Sequence, residues 1–222
     1  MRSTVEPYAV IREADVKWER RVWRTLDGRD PMNAWLVGRK SSCMDLMTVP
    51  LTTLREYPDM VLYAPDGKGE DGAFRKAIAG AERTAMLLMN DTAAFEVERF
   101  MLKEDWIFDA ARGVMEVRII AFAPMVIVRG SEGEVSGHRP LFWLYYPEWR
   151  AILGTRPALF PGDITLSFES LFARRIFRST VTKVSNLQDR AGNDHGSGLD
   201  LLLQSEGLRD QLIHMGFDLW HY

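Results

Sequence analysis

Apolar and charged residues alternate most persistently between Val97 and Val128, in VERFMLKEDWIFDAARGVMEVRIIAFAPMVIV. A period of two over that length predicts two long strands around one turn. In the first strand Phe100, Leu102, Trp106 and Phe108 share one face, and Arg99, Lys103 and Asp105 share the other. Glu104 is the misfit, a carboxylate on the apolar face. In the second strand Met115, Val117, Ile119 and Ala121 lie opposite Glu116 and Arg118. Beyond Ile119 both faces are apolar, which predicts cover on both sides. A loop at Ala110 to Gly113 sets Asp105 across from Arg118 and Trp106 across from Val117. That register puts an ion pair on the wet face, and a one-residue slip is the alternative.

Elsewhere the period changes. Ile11, Ala14, Trp18, Val22 and Leu26 recur at spacings of three and four, which predicts an amphipathic helix over 11–26. Asp27-Gly28 ends it, and Pro31 and Gly38 keep 29–49 irregular. Further expected elements are a helix at 51–57 after Pro50, a strand at 61–64, a loop at 66–72 and a helix at 81–89. A Gly-rich polar connection follows at 129–139, then a buried strand in PLFWLYY at 140–146 and a helix from Pro147 to Leu153. Ser167 is read as the N-cap of a helix over 168–178 whose inward stripe is Phe168, Leu171, Phe172 and Ile176. A strand at 181–184, a polar segment at 186–198 and a C-terminal helix over 199–219 complete the chain. The expected fold class is α+β: an antiparallel sheet centred on a long β-hairpin, with helices packed on it. The whole chain, 1–222, is expected to form one domain, with an N-terminal helix 11–26, a central sheet region about 61–146 and a helical part 147–222.

Composition narrows the chemistry. A chain of 222 residues, 46% hydrophobic, is long enough to bury a core without disulfide staples. Cys43 stands alone, which excludes an internal disulfide and a Cys-based zinc site. The net charge of −3 gives no global pull toward nucleic acid or anionic lipid. No apolar run approaches the ~18 residues of a membrane span, and no direct membrane insertion is expected. The N-terminus has no apolar region of a signal peptide. The oxygen-rich loops around Asp66, Glu70, Asp71, Asp189 and Asp194 lack EF-hand spacing, and His138, His195, His214 and His221 form no helical zinc pair, so no metal and no cofactor is expected. A buried acid at Glu104, working with Asp105 or Asp109, would suit a small carboxylate-dependent hydrolase. The commoner role of such a residue is a charge-paired core carboxylate. Arg174, Arg175 and Arg178 form one arginine cluster, and Arg20, Arg21 and Arg24 another. Trp18 and Trp23 flank the latter about 140° apart on a helix. Trp18, Arg20, Arg21, Trp23 and Arg24 are therefore the candidate protein interface, because Trp and Arg dominate interface hot spots.

Several blocks in order resemble one family. ADVKWERRVWRTLDGRDPMN at 14–33, RFMLKEDWIFDAARGVMEVRIIAFAP at 99–124, PLFWLYYPEWRAIL at 140–153, LSFESLFARRIFRS at 166–179 and the terminal DLWHY are similar to the gliding-motility-associated GldN family, also called PorN. The resemblance implies a non-enzymatic periplasmic subunit of the type IX secretion system, peripheral to the outer membrane. It implies three protein partners: an outer-membrane lipoprotein of the PorK/GldK kind, the periplasmic domain of a PorM/GldM-like motor component, and further copies of itself in a ring. It carries no catalytic residues and no nucleic-acid partner. Members are exported, so the resemblance also implies a leader peptide, and they often continue past the DLW block.

Overall fold

The alternation from Val97 onward forms two strands in the computed structural model, β2 (Val97–Asp109) and β3 (Val114–Arg129). The model describes residues 5–37, 45–65, 74–88, 97–160 and 164–185, with 207 and 210. The turn between β2 and β3 falls at 110–113, as its residues predict. The Asp109 carboxylate accepts from the backbone N–H groups of Ala111 (2.9 Å) and Arg112 (3.2 Å). Gly113 then takes φ +63°, a left-handed conformation that glycine adopts without steric cost.

Residues 16–27 depart from expectation. They form β1 (Val16–Asp27), preceded by one 3-10 turn at Glu13–Asp15, where a helix over 11–26 is expected. Trp18, Val22 and Leu26 lie four apart, a spacing that fits one side of a helix and equally one face of a strand. Valine, tryptophan and threonine at 16, 18, 22, 23 and 25 favour the strand. Gly28 follows because the backbone passes too close for a side chain. Its N–H donates to Glu98 O at 2.7 Å, and an added Cβ would sit 3.0 Å from that oxygen and 2.6 Å from the Val37 side chain.

Most other elements follow the pattern. They are α1 (Thr48–Glu56), α2 (Gly80–Leu88), β4 (Val135–Pro140), β5 (Leu144–Tyr145), α3 (Tyr146–Leu153), β6 (Pro157–Phe160), β7 (Ile164–Ser167), α4 (Phe168–Ala173) and β8 (Thr180–Val184). A 3-10 helix occupies Pro31–Leu36, capped by Asp30. The connection expected at 129–139 is half strand, because β4 pairs with the end of β3 from Met125↔Pro140 to Arg129↔Val135. PLFWLYY is buried but only partly strand: Trp143 bridges Tyr63 while β5 pairs Ala121 and Phe122. The expected strand at 61–64 reduces to Tyr63, which bridges Trp143 on one side and Ala77 on the other. The β6–β7 hairpin lies within the part expected to be helical. The helix expected over 168–178 stops at Ala173, with Ser167 as its N-cap, accepting from Ser170 N–H at 3.1 Å. The loop at 66–72, the polar segment at 186–198 and most of the C-terminal helix lie outside the described residues, as do Cys43 and the three later histidines.

The strands form one antiparallel sheet in the order β4-β3-β2-β1-β8, with β5 beside β3, and a separate β6–β7 pair. The fold class is α+β. Contacts divide the chain into two compact units, each built from separated stretches. The first comprises Met1–Glu6, Leu26–Met101 and Ala121–Arg178. Its core is aromatic: Phe172 meets Trp35 (5.2 Å), Phe122 (5.7 Å), Tyr146 (5.7 Å) and Phe177 (6.0 Å). Ala121, Ala123 and Trp143 pack with Tyr63, Phe74 and Met101. The buried Glu169 on α4 accepts from Arg150 on α3 at 2.8 Å. The second unit comprises Pro7–Thr25, Leu102–Ile120 and Ser179–Tyr222. Its described apolar cluster is Val22 and Val181 with Trp18, Trp106 and Val184.

Asn33, 1% exposed, ties three backbone groups of the first unit together. Its Nδ2 donates to Asp27 O (2.9 Å) and Arg178 O (2.7 Å), and its Oδ1 accepts from Arg178 N–H (2.9 Å). Asn33→Ala leaves these groups without their partner and is expected to cost about 2–3 kcal/mol in urea unfolding. An unchanged midpoint would place those backbone groups in water.

Candidate functional site

The candidate interface residues lie on β1 and alternate across it. Arg21 and Trp23 share a face with Lys103 and Asp105 of β2, while Trp18, Val22 and Arg24 share the other with Glu104 and Trp106. The candidate site is thus two-sided, and its residues have partners within the second unit.

On one side Trp23 is 6% exposed. The ammonium groups of Lys103 and Lys183 lie 5.6 Å and 5.0 Å from its ring centroid, a cation–π contact from each neighbouring strand. Arg21 grips Asp105 with two bonds from one guanidinium edge, Nε to Oδ1 at 2.6 Å and Nη2 to Oδ2 at 2.8 Å. The hydrogen bond to Asp105 raises the Arg21 pKa. This corrects the expected pairing of Asp105 with Arg118. Arg118 instead donates to Glu116 at 2.8 Å. The face expected to be wet is closed at Lys103 (4% exposed) and Asp105 (7%), while Arg99 stays partly exposed.

On the other side Glu104 is fully buried. Its Oε2 accepts from Trp106 Nε1 at 2.9 Å and lies 4.0 Å from Arg24 Nη1. Arg24 also donates to Ser179 Oγ at 2.8 Å. Trp18 packs beside Val22 and carries the Arg20 guanidinium 5.4 Å from its ring. Strand β8 reaches this face through a bulge. Val22↔Val184 and Trp23↔Lys183 give way to Arg24↔Val181, so Thr182 is the extra residue. Val181 and Val184, three apart, thereby both reach Val22.

The three carboxylates of the hydrolase reading are each held in a structural ion pair. Glu104 has Trp106 and Arg24, Asp105 has Arg21, and Asp109 has Arg112 with two turn amides. The Arg112 hydrogen bond holds the Asp109 carboxyl below its ordinary range. Among the described residues no group of three or more His, Cys, Asp or Glu is placed to hold a metal ion. Lys103 and Lys183, which sequence reasoning left out, complete the Trp23 face. Their signal was parity: once 16–27 is strand, Arg21 and Trp23 fall on the same side as Lys103 and Asp105.

A second charged group lies in the first unit. Asp27 accepts from Arg29 (Nε to Oδ1 2.9 Å) and lies 3.5 Å from Arg99, while Glu98 lies 3.8 Å from Arg29. The Arg29 hydrogen bond lowers the Asp27 pKa to about 2. Burial first, then Arg99 and Arg29, lowers the pKa of His138 on β4.

The sequence matches the family model described as gliding motility associated protein GldN over residues 11–221. A comparison with curated proteins gives no match.

Two outcomes follow from the geometry. Trp23→Ala is expected to cost about 3–5 kcal/mol of stability, whereas Arg20→Ala, at the margin of the cluster, changes it by less than about 1 kcal/mol. Urea unfolding of the two variants reads this directly, and equal midpoints would mean that the Trp23 ring is not core. Asp27 is ionised in the folded state below its ordinary pKa of 3.8, so its contribution is present above 3.8 and lost as pH falls toward about 2. An acid titration of stability is expected to flatten over that interval in Asp27→Asn; an unchanged slope would remove Asp27 from the acid limb.

Proposed function

The chain belongs to the gliding motility associated GldN family, and from that premise we propose that it is a non-enzymatic subunit of the type IX secretion and gliding machinery. It works in the periplasm at the inner side of the outer membrane. There it assembles with an outer-membrane lipoprotein of the PorK/GldK kind, with further copies of itself in a ring, and with the periplasmic domain of a PorM/GldM-like motor component. The observation that carries this reading is the family match over 11–221, nearly the whole chain.

Glu104, Asp105 and Asp109 are spent on cross-strand pairs and a turn, so the carboxylate hydrolase finds no support in their geometry. No helix of the described residues is long and apolar enough to cross a membrane.

Co-expression with the lipoprotein partner, followed by size-exclusion chromatography with light scattering, tests the assembly. The expected result is co-elution in one particle many times the 25.4 kDa of a single chain. Two separate peaks, each of monomer mass, would overturn the proposal.

A further inference from the structure

Helix α4 ends in a way that sets apart the arginine cluster behind it. The N–H of Ile176 donates to Leu171 O (2.9 Å) and that of Arg175 to Phe172 O (3.0 Å). These two bonds make a Schellman closure, with Arg175 at the residue that turns left-handed, φ +55°. Glycine ordinarily fills that position, because any Cβ there is strained. Here the chain keeps an arginine.

The segment that follows is fixed by side chains of the core. Trp35 Nε1 donates to Ile176 O at 3.2 Å. Asn33 holds both the N–H and the C=O of Arg178. The Phe177 ring meets Phe172 at 6.0 Å, and the Arg175 guanidinium lies 5.3 Å over Phe177. On this platform Arg174, Arg175 and Arg178 are all exposed, Arg178 to 75%, with Asp30 3.5 Å from its Nη1. Three guanidinium groups thus stand within five residues on a backbone that the core immobilises.

We propose that Arg174, Arg175 and Arg178, with Phe177 beneath, form a preorganised docking surface for a carboxylate-rich segment of a partner protein. Guanidinium forks match carboxylates in two-bond geometry, and a fixed backbone removes the ordering cost of binding. Arg175 is held left-handed without glycine's freedom, and local strain of this kind concentrates at binding sites. The chain's net charge of −3 disfavours an extended polyanion such as a nucleic acid or a lipid surface, which would meet the whole molecule. A short acidic segment meets only the patch. This goes beyond the ring-subunit reading and holds whether or not the lipoprotein assembly forms.

The test uses the full chain and a fluorescein-labelled poly-glutamate peptide, read by anisotropy. The expected result is a loss of affinity of about tenfold or more in Arg174→Ala/Arg178→Ala. Arg175→Lys keeps the charge and the left-handed backbone but loses the fork; weaker peptide binding at an unchanged thermal midpoint is expected. Arg175→Gly relieves the strain, so its midpoint is expected to rise by about 2–4 °C while binding weakens. Peptide binding that is absent in the wild type, or equal in wild type, the double variant or Arg175→Lys, would overturn the proposal. So would tighter binding of phosphatidylglycerol vesicles or duplex DNA through the same arginines.

Discussion

Three consecutive charged residues, Lys103, Glu104 and Asp105, are buried on one strand, and much of the second unit answers that constraint. A buried charge without a partner costs several kcal/mol, and successive residues of a strand face opposite ways. Compensation must therefore arrive on both faces. Strand β1 supplies it by parity, with Arg21 and Trp23 on one side and Arg24 on the other. Strand β8 adds Lys183 to the first face. Its bulge at Thr182 returns Val181 to the second, beside the apolar cluster. A slip of one residue between β1 and β2 would exchange these faces and part Arg21 from Asp105.

The first unit is organised differently. Phe172 is surrounded by rings from the 3-10 helix, β3, α3 and the segment after α4. Edge-on contacts at these distances combine burial with a preferred ring geometry. Asn33 and Trp35 there serve the backbone, while Glu169 on α4 is paired with Arg150 on α3.

The hairpin was legible because its alternation is long and its turn carries Asp109 and Gly113. The helices α1, α2 and α3 were legible from apolar spacing and proline position. The first strand was not, because a spacing of four is common to a helix stripe and a strand face; the β-favouring residues of 16–25 tilt the balance only weakly, and the carboxylates on β2 complete it. Burial of 103–105 was hidden for a related reason. Charges along a strand read as a wet face until a neighbour with matching charges is known. The β6–β7 hairpin is too short for its period to register. The end of α4 was misplaced because Arg175 occupies a turn for which glycine is the usual signal. The family could be read from ordered blocks of sequence, while the placement of its tryptophans and arginines could not.

The pairing of β1 with β8 has a temporal side. Ser185 accepts from the N–H of Arg21 across 164 residues of chain. Contacts of such sequence separation bear a large loop-closure entropy and form slowly. Until residues 180–185 have been synthesised and docked, the outer edge of β1 lacks its ladder partner, and open edges recruit other strands. A nascent or truncated chain thus keeps that edge of β1 exposed until β8 docks, and β8 is the clasp that covers it.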